Sequence, residues 1–388
     1  MLKILAINHY RSLFDLVIPL KKLNIITGVN ASGKSNLYKA LRLLAETAEG
    51  GVIHSLAKEG GLNTTFWAGP EKISRQMIKG EVAIQGNSKQ NVARLRLGFA
   101  DDLFGYSISL GYPEPSLSAF SLDPEIKRET IWAGDVYKAS SVLVDRTGPL
   151  VKIRDGRKWE VIEQYTPVFE SIFTQAVYID KTPEIIRLRE KVKGWRFYDH
   201  FRSDKDAPAR LPQLGTRTPV LSQDGHDLAA ALQTIIEIGD SQALVETIED
   251  AFPGTKLGIK MYENGHFIVE LYQQGLLRPL SASELSDGTL RYLLWVATLL
   301  TPRPPELMVL NEPETSLHPD LLPALARLII KAAKKTQIWV VSHANRLVSA
   351  LRESEESNLI ELDKEFGQTK VLGQGLLDKP NWHWPDTK

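Results

Sequence analysis

The eight residues Gly28-Val29-Asn30-Ala31-Ser32-Gly33-Lys34-Ser35 constrain this chain more than any others. They satisfy G-x-x-x-x-G-K-[ST] and lie between an apolar run, LNIITG, and a segment of helical periodicity. Such spacing calls for a strand, a tight glycine-rich turn and the first turn of a helix. The glycines let the backbone curl so that N–H groups of the turn and of the helix start converge on phosphate oxygens. Lys34 then reaches the β/γ-phosphates and Ser35 offers a hydroxyl to Mg²⁺. Gly28, Asn30, Ala31, Ser32, Gly33, Lys34, Ser35 and the neighbouring Asn36 are the expected ligand contacts. The helix is expected from Ser35 to about Glu49, with Leu37, Leu41 and Leu44 on one face and a stop at Gly50-Gly51. Two strands, LKILAIN and FDLVIPL, precede the motif.

The C-terminal third returns to short α/β alternation. A helix over about 288–300 leads to the strand ELMVL, a helix over about 319–334, the strand QIWVV and a helix from near Asn345. That order implies a parallel sheet covered by helices, with ligands at the carboxyl ends of its strands. ELMVL runs into Asn311-Glu312-Pro313-Glu314 and QIWVV into Ser342-His343, so two strand tips carry polar or titratable groups. Ahead of them, Leu285-Ser286-Asp287-Gly288-Thr289 opens a helix as a good cap. The middle is less regular. EVAIQG, ARLRLGFA and YSISLGY alternate like strands, residues 226–250 read as two helices broken at Gly239-Asp240, and KLGIKMYENGHFIVELYQQG reads as a hairpin. No heptad run supports a long coiled-coil arm.

Composition narrows the function classes. With 47 basic and 47 acidic side chains, a chain that coats DNA by charge alone is excluded, though a local basic groove is not. The absence of cysteine removes disulfides, thiolate metal sites and cysteine nucleophiles. The longest apolar run, LRYLLWVATLL, is interrupted by Arg291 and falls short of the roughly 18–20 residues of a membrane span. The N-terminus lacks the pattern of a secretory signal, so a cytoplasmic protein with no membrane partner is expected.

In order, GVNASGKSN, LSDGT, MVLNEPETSLHP and VVSHANRL resemble the nucleotide-binding heads of the ABC superfamily. The forms GKSN and EPETSLHP are similar to its RecF/SMC-like branch. The resemblance covers roughly residues 1–50 and 280–350. It implies a P-loop NTPase head, a mixed sheet with flanking helices, formed by 1–50 and 281–388 and carrying an inserted α+β lobe at 51–280. It also implies ATP and Mg²⁺ as ligands, Glu312 as the general base, and His343 as the switch residue sensing the γ-phosphate. Ser286 and Gly288 become the signature that grips nucleotide held by another head, Thr315 to His318 the loop along a dimer interface, and Arg11 an arginine near the nucleotide. With a single copy of each motif, the resemblance further implies a head-to-tail homodimer or a partner with a matching head. One departure is Asn311, where such heads carry a magnesium-associated Asp; an amide brings no charge and should hold Mg²⁺ less firmly. Neither Gln85 nor Gln90 can be assigned as the Q-loop glutamine.

Three roles fit this reading: a DNA-associated ATPase of repair or genome defence, a nucleotide-gated switch acting on a separate effector protein, and a transporter ATPase, which fits least. The DNA reading draws on Lys181 to Arg217, where ten Lys/Arg and five Asp/Glu are interleaved with Trp195, Phe197, Tyr198 and Phe201. The competing reading is a solvated face whose aromatics pack inside. His54, His200, His226 and His266 show no ligand spacing. The acidic stretch from Glu353 to Glu365 reads as an exposed helix face and connector.

Overall fold

The computed structural model describes residues 1–70, 75–78, 81, 94–115, 117–174, 182–375 and 377–386. These fall into two compact units: Met1–Leu20, Gly28–Gly194 and Glu361–Lys388 in the first, Lys21–Thr27 and Trp195–Ile360 in the second. EVAIQG, Gln85 and Gln90 lie outside the described residues, Glu81 apart.

The first unit begins with β1 (Leu2–Tyr10) and β2 (Leu13–Pro19) as an antiparallel pair. After β3 (Leu23–Gly28) come α1 (Lys34–Thr47), α2 (Val52–Lys58) and two single turns, α3 (Leu62–Thr65) and α4 (Arg75–Ile78). A run of antiparallel strands follows: β4 (Leu95–Asp101), β5 (Phe104–Gly111), β6 (Glu125–Ala133), β7 (Val142–Thr147), β8 (Leu150–Asp155) and β9 (Lys158–Glu163). Helix α5 (Pro183–Lys193) then ends the unit's central stretch. The sheet order is β2-β1-β4-β5-β6-β7-β8-β9. Strand β1 is buried at nearly every position because both of its faces are covered. Its Ile4 and Ala6, with Val17 and Ala100, pack under Trp382 and Trp384 of the C-terminal segment. At the sheet's centre, cross-strand partners Glu129 and Arg146 form a fully buried ion pair at 2.9 Å. Tyr106 Oη, Ser171 Oγ and the Ile172 N–H also donate to Glu129, and Arg146 donates to the carbonyls of Gly148, Pro167 and Glu170. A buried pair is tolerable only when so fully satisfied.

The second unit is the predicted parallel sheet. After β10 (Arg196–Tyr198) and the short β11 (Gln213–Leu214) come α6 (Leu228–Ile238) and α7 (Ser241–Ala251), the two helices expected over 226–250. Asp240 caps α7 by accepting the Ala243 N–H. The expected hairpin is β12 (Thr255–Met261) with β13 (His266–Gln273), extended by β14 (Leu280–Ser281). Then α8 (Asp287–Leu299), β15 (Leu307–Asn311), α9 (Leu322–Ala333), β16 (Gln337–Val341) and α10 (Asn345–Arg352) alternate as the periodicity required. Strands β10, β15, β16 and β3 run parallel in that order, so β3 brings the chain to Gly28 at the sheet's carboxyl edge. The core is a block of Leu, Ile, Val and Ala from these strands and from α6 to α10.

The acidic stretch corrects the expectation of a helix face. Ser357–Glu365 forms β17, and its last residues pair with β18 (Gln368–Val371) in the first unit. Ile360 and Leu362 are buried two residues apart, a strand period that the surrounding carboxylates masked.

Candidate active site

The motif loop is built inside the first unit. Gly28 leaves β3 with φ +142° and Gly33 precedes α1 with φ +113°, conformations that side chains avoid. Neighbours close the same positions. A Cβ on Gly28 would stand 2.1 Å from the Leu362 carbonyl oxygen, and one on Gly33 would stand 2.1 Å from Thr369 Oγ1. Helix α1 has no side-chain cap and no acidic residue in its first turn, so its leading N–H groups keep their partial positive charge. Lys34 Nζ donates to the loop's own carbonyls, Gly28 at 2.6 Å and Val29 at 3.1 Å. Ser32 is fully buried and its Oγ has no hydrogen-bond partner. A glycine-closed cradle with a cation folded over it and an orphaned hydroxyl suits a multiply charged phosphate group.

The second unit assembles the acidic group at adjacent strand ends. Strand β15 ends at Asn311, whose register partner in β16 is Val341. Glu312 follows with φ +48° and donates its N–H to the Val341 carbonyl at 2.8 Å, which swings its carboxylate out of the strand; that side chain is 49% exposed. Glu314 is turned inward and only 7% exposed. Its Oε1 accepts from Ser342 Oγ at 2.7 Å, the His343 N–H at 3.1 Å and the Ala344 N–H at 3.2 Å. His343 Nδ1 stands 3.5 Å from Glu314 Oε1 and 3.9 Å from Glu312 Oε1. The two strand tips thus share a carboxylate–imidazole cluster, with one acid exposed and the other spent on positioning the turn after β16.

Ser286 caps α8, its Oγ accepting the Thr289 N–H at 3.2 Å, and stays exposed. Gly288 lies against the next motif, since a Cβ there would stand 3.1 Å from the Ser316 carbonyl oxygen. Arg291, one turn further on, reaches the Thr315 carbonyl at 3.0 Å together with Ser203 and His200, and burial pulls its guanidinium below the ordinary arginine value.

A family model described as "AAA domain, putative AbiEii toxin, Type IV TA system" matches residues 23–349. The chain belongs to this family. Among solved structures, an SMC head bound to the C-winged helix domain of ScpA is 13% identical, covers 97% of this chain and 98% of its own, and superposes with a TM-score of 0.52. An SMC head from Pyrococcus furiosus, bound to the C-terminal domain of ScpA, is 12% identical over 96% and 95% of the two chains, with a TM-score of 0.49. The SMC head domain from Thermotoga maritima is 14% identical over 97% and 99%, with a TM-score of 0.44. The first of these establishes the fold, that of an SMC head. No curated protein matches the chain.

Several residues of this AAA-family head stand elsewhere than, or beside, their expected roles. Arg11 is held by Glu59 at 2.7 Å, which also accepts from Tyr10 Oη, so the guanidinium ties the β1–β2 turn to the end of α2. The aromatics of the basic segment are interior: Trp195, Phe197, Tyr198 and Phe201 are all buried. They cannot stack on bases, which removes the observation behind a nucleic-acid surface there. Arg210 of that segment is buried too, its guanidinium spent on the carbonyls of Ser203, Ala282 and Leu285 and on Asp287 at the start of α8. Among the described residues no three His, Asp or Glu converge as a metal site, and no helix is long and apolar enough to cross a membrane. Glu314, Thr369, Ser12 and Arg210 are the structural partners that sequence reading missed. Only Glu314 left a signal, as the second acid of Glu-Pro-Glu.

Proposed function

We propose that this AAA-family head binds ATP with Mg²⁺ and hydrolyses it, in a head-to-tail dimer that closes two nucleotides between its subunits. The observation that carries the reading is the Gly28–Ser35 loop, in which two glycines are locked by their surroundings and Lys34 is held over an uncapped helix start. Gly33, Lys34 and the first N–H groups of α1 bind the phosphates, with Asn30, Ala31, Ser32 and Asn36 shaping the loop around them. Ser35 and Asn311 would hold Mg²⁺ or its waters, a donor set that suits an ion bound chiefly by phosphate and water. When bound, the ion supplies charge neutralisation on the phosphates. Glu312, exposed and free of the inward hydrogen bonds that occupy Glu314, orients and deprotonates the attacking water. His343 hydrogen-bonds the γ-phosphate, while Ser286 and Gly288 complete the site held by the other subunit. The nucleotide core is drawn chiefly from 1–50 and 281–388, with β10 of the intervening stretch adding a strand to its parallel sheet.

A second reading is favoured by Asn311: a nucleotide-gated switch with little turnover that controls a separate effector protein. The family's description, which names a toxin of a toxin–antitoxin system, favours genome defence over repair as the setting. The test is Mg·ATP binding and phosphate release by wild type beside Lys34→Ala, Glu312→Gln and Asn311→Asp. The enzyme reading expects binding lost in Lys34→Ala, turnover lost in Glu312→Gln, and turnover raised in Asn311→Asp. Tight binding without turnover in wild type and Asn311→Asp alike leaves the switch.

A further inference from the structure

We infer that Thr369, more than 330 residues from the motif loop in sequence, is a positioning residue for the nucleotide phosphates, an inference that rests on the ATP reading above. Thr369 Oγ1 lies 2.7 Å from the Ser32 carbonyl oxygen and 2.7 Å from Ser12 Oγ, and Asn36 Nδ2 lies 2.8 Å from that same Ser12 oxygen. Only one arrangement of protons serves all three contacts. A carbonyl can only accept, so the Thr369 hydroxyl donates to Ser32. Ser12 must then donate to Thr369, and one of its lone pairs accepts an N–H of the Asn36 amide. The chain of donors therefore has a direction, and it ends on one peptide unit of the loop.

That peptide is the one whose N–H belongs to Gly33. In a trans peptide the C=O and the following N–H point in opposite directions, so holding the Ser32 carbonyl outward aims the Gly33 N–H inward, at the head of α1. Thr369 fills the side of Gly33 where a Cβ would otherwise lie, so the peptide cannot turn over without displacing it. The Thr369 N–H in turn donates to the Ser12 carbonyl at 2.8 Å, which fixes the threonine backbone. Thr369 is fully enclosed, and all members of the relay lie in the first unit. The β17–β18 hairpin thus sets the direction of a phosphate-binding amide that no residue of the motif itself holds.

The test compares Thr369→Val, which keeps the shape and removes the hydroxyl, with Thr369→Ser, which restores it. Mg·ATP affinity, KM, kcat and the melting temperature without nucleotide are measured on the full chain, with Lys34→Ala as the non-binding control. The expected result is an ATP affinity about tenfold weaker and a KM raised to match in Thr369→Val, with much less change in kcat and recovery in Thr369→Ser. Ser12→Ala, which leaves Thr369 in place but removes its donor, should weaken binding about threefold and carries the test if the valine variant does not fold. Wild-type affinity in both Thr369→Val and Ser12→Ala overturns the role of Thr369 while leaving the ATP reading standing. Equal loss in Thr369→Val and Thr369→Ser with a lowered melting temperature overturns it as mere packing. A wild-type chain that binds ATP no better than Lys34→Ala overturns the nucleotide reading itself.

Discussion

At the residue scale, two glutamates two positions apart have been given opposite work by one backbone feature. The left-handed φ of Glu312 turns its carboxylate outward and leaves Glu314 to enter the core, where three donors meet one oxygen. Glu312→Gln should therefore leave stability within about 0.5 kcal/mol while lowering turnover by about 10²–10⁴-fold. Glu314→Ala should do the reverse first, leaving the Ser342 hydroxyl and the His343 N–H without their acceptor, while the Ala344 N–H keeps Ser342 Oγ, at a cost of about 2–3 kcal/mol in urea unfolding. Equal stability losses in the two variants would contradict this division. The motif glycines and Lys34 were legible because their requirement is local: one turn needs positive φ, and glycine supplies it. Thr369 and Ser12 were not, because their contacts join residues 357 apart and leave no periodic trace in either segment.

At the element scale, the C-terminal segment acts as a strap on the eight-stranded sheet. Trp382 stacks edge-on to Trp132 and sits over Gly98, where any Cβ would stand 2.5 Å from the indole. Asp386, 4% exposed, takes both Arg96, at 2.9 Å, and Arg94, at 3.2 Å, with Ser109 at 3.0 Å. Burial alone would push its carboxyl up, yet the charge and hydrogen bonds of Arg96 with those of Ser109 and Arg94 hold it below the usual carboxylate range. A depressed folded pKa means stability that is present above the unfolded value and is lost as pH falls through the folded one. Asp386→Ala should cost about 2 kcal/mol at pH 7, and the gap to wild type should close below about pH 4. A gap that persists undiminished at pH 3 would show that the arginines contribute nothing through charge. Most helices and strands of the second unit were readable from the 3.6 and 2.0 periods. The strand at Ser357–Glu365 was hidden because its exposed face is acidic, and the apolar β1 concealed that a distant tryptophan pair covers its second face.

At the scale of the whole molecule, the proposed dimer requires that one head, with its single copy of each motif, complete no site by itself. Ser286 is exposed at the start of α8, and its hydroxyl serves as a cap within the chain. Arg210 donates to Asp287 at the start of α8 and Arg291 to the Thr315 carbonyl, so both segments are braced from inside, as the proposed dimer would need. Mixing Lys34→Ala with Ser286→Arg, each inactive alone, should recover up to about a quarter of wild-type turnover through mixed dimers that keep one intact site. No recovery, with mixed dimers demonstrated, would contradict a site shared between subunits. The most direct single test is ATP turnover per protomer measured across protein concentration. A site shared between two subunits gives a rate that climbs with concentration to a plateau as dimers form, and that stays at background throughout in Glu312→Gln. A rate per protomer that is constant from the most dilute sample upward, or that survives in Glu312→Gln, would contradict it.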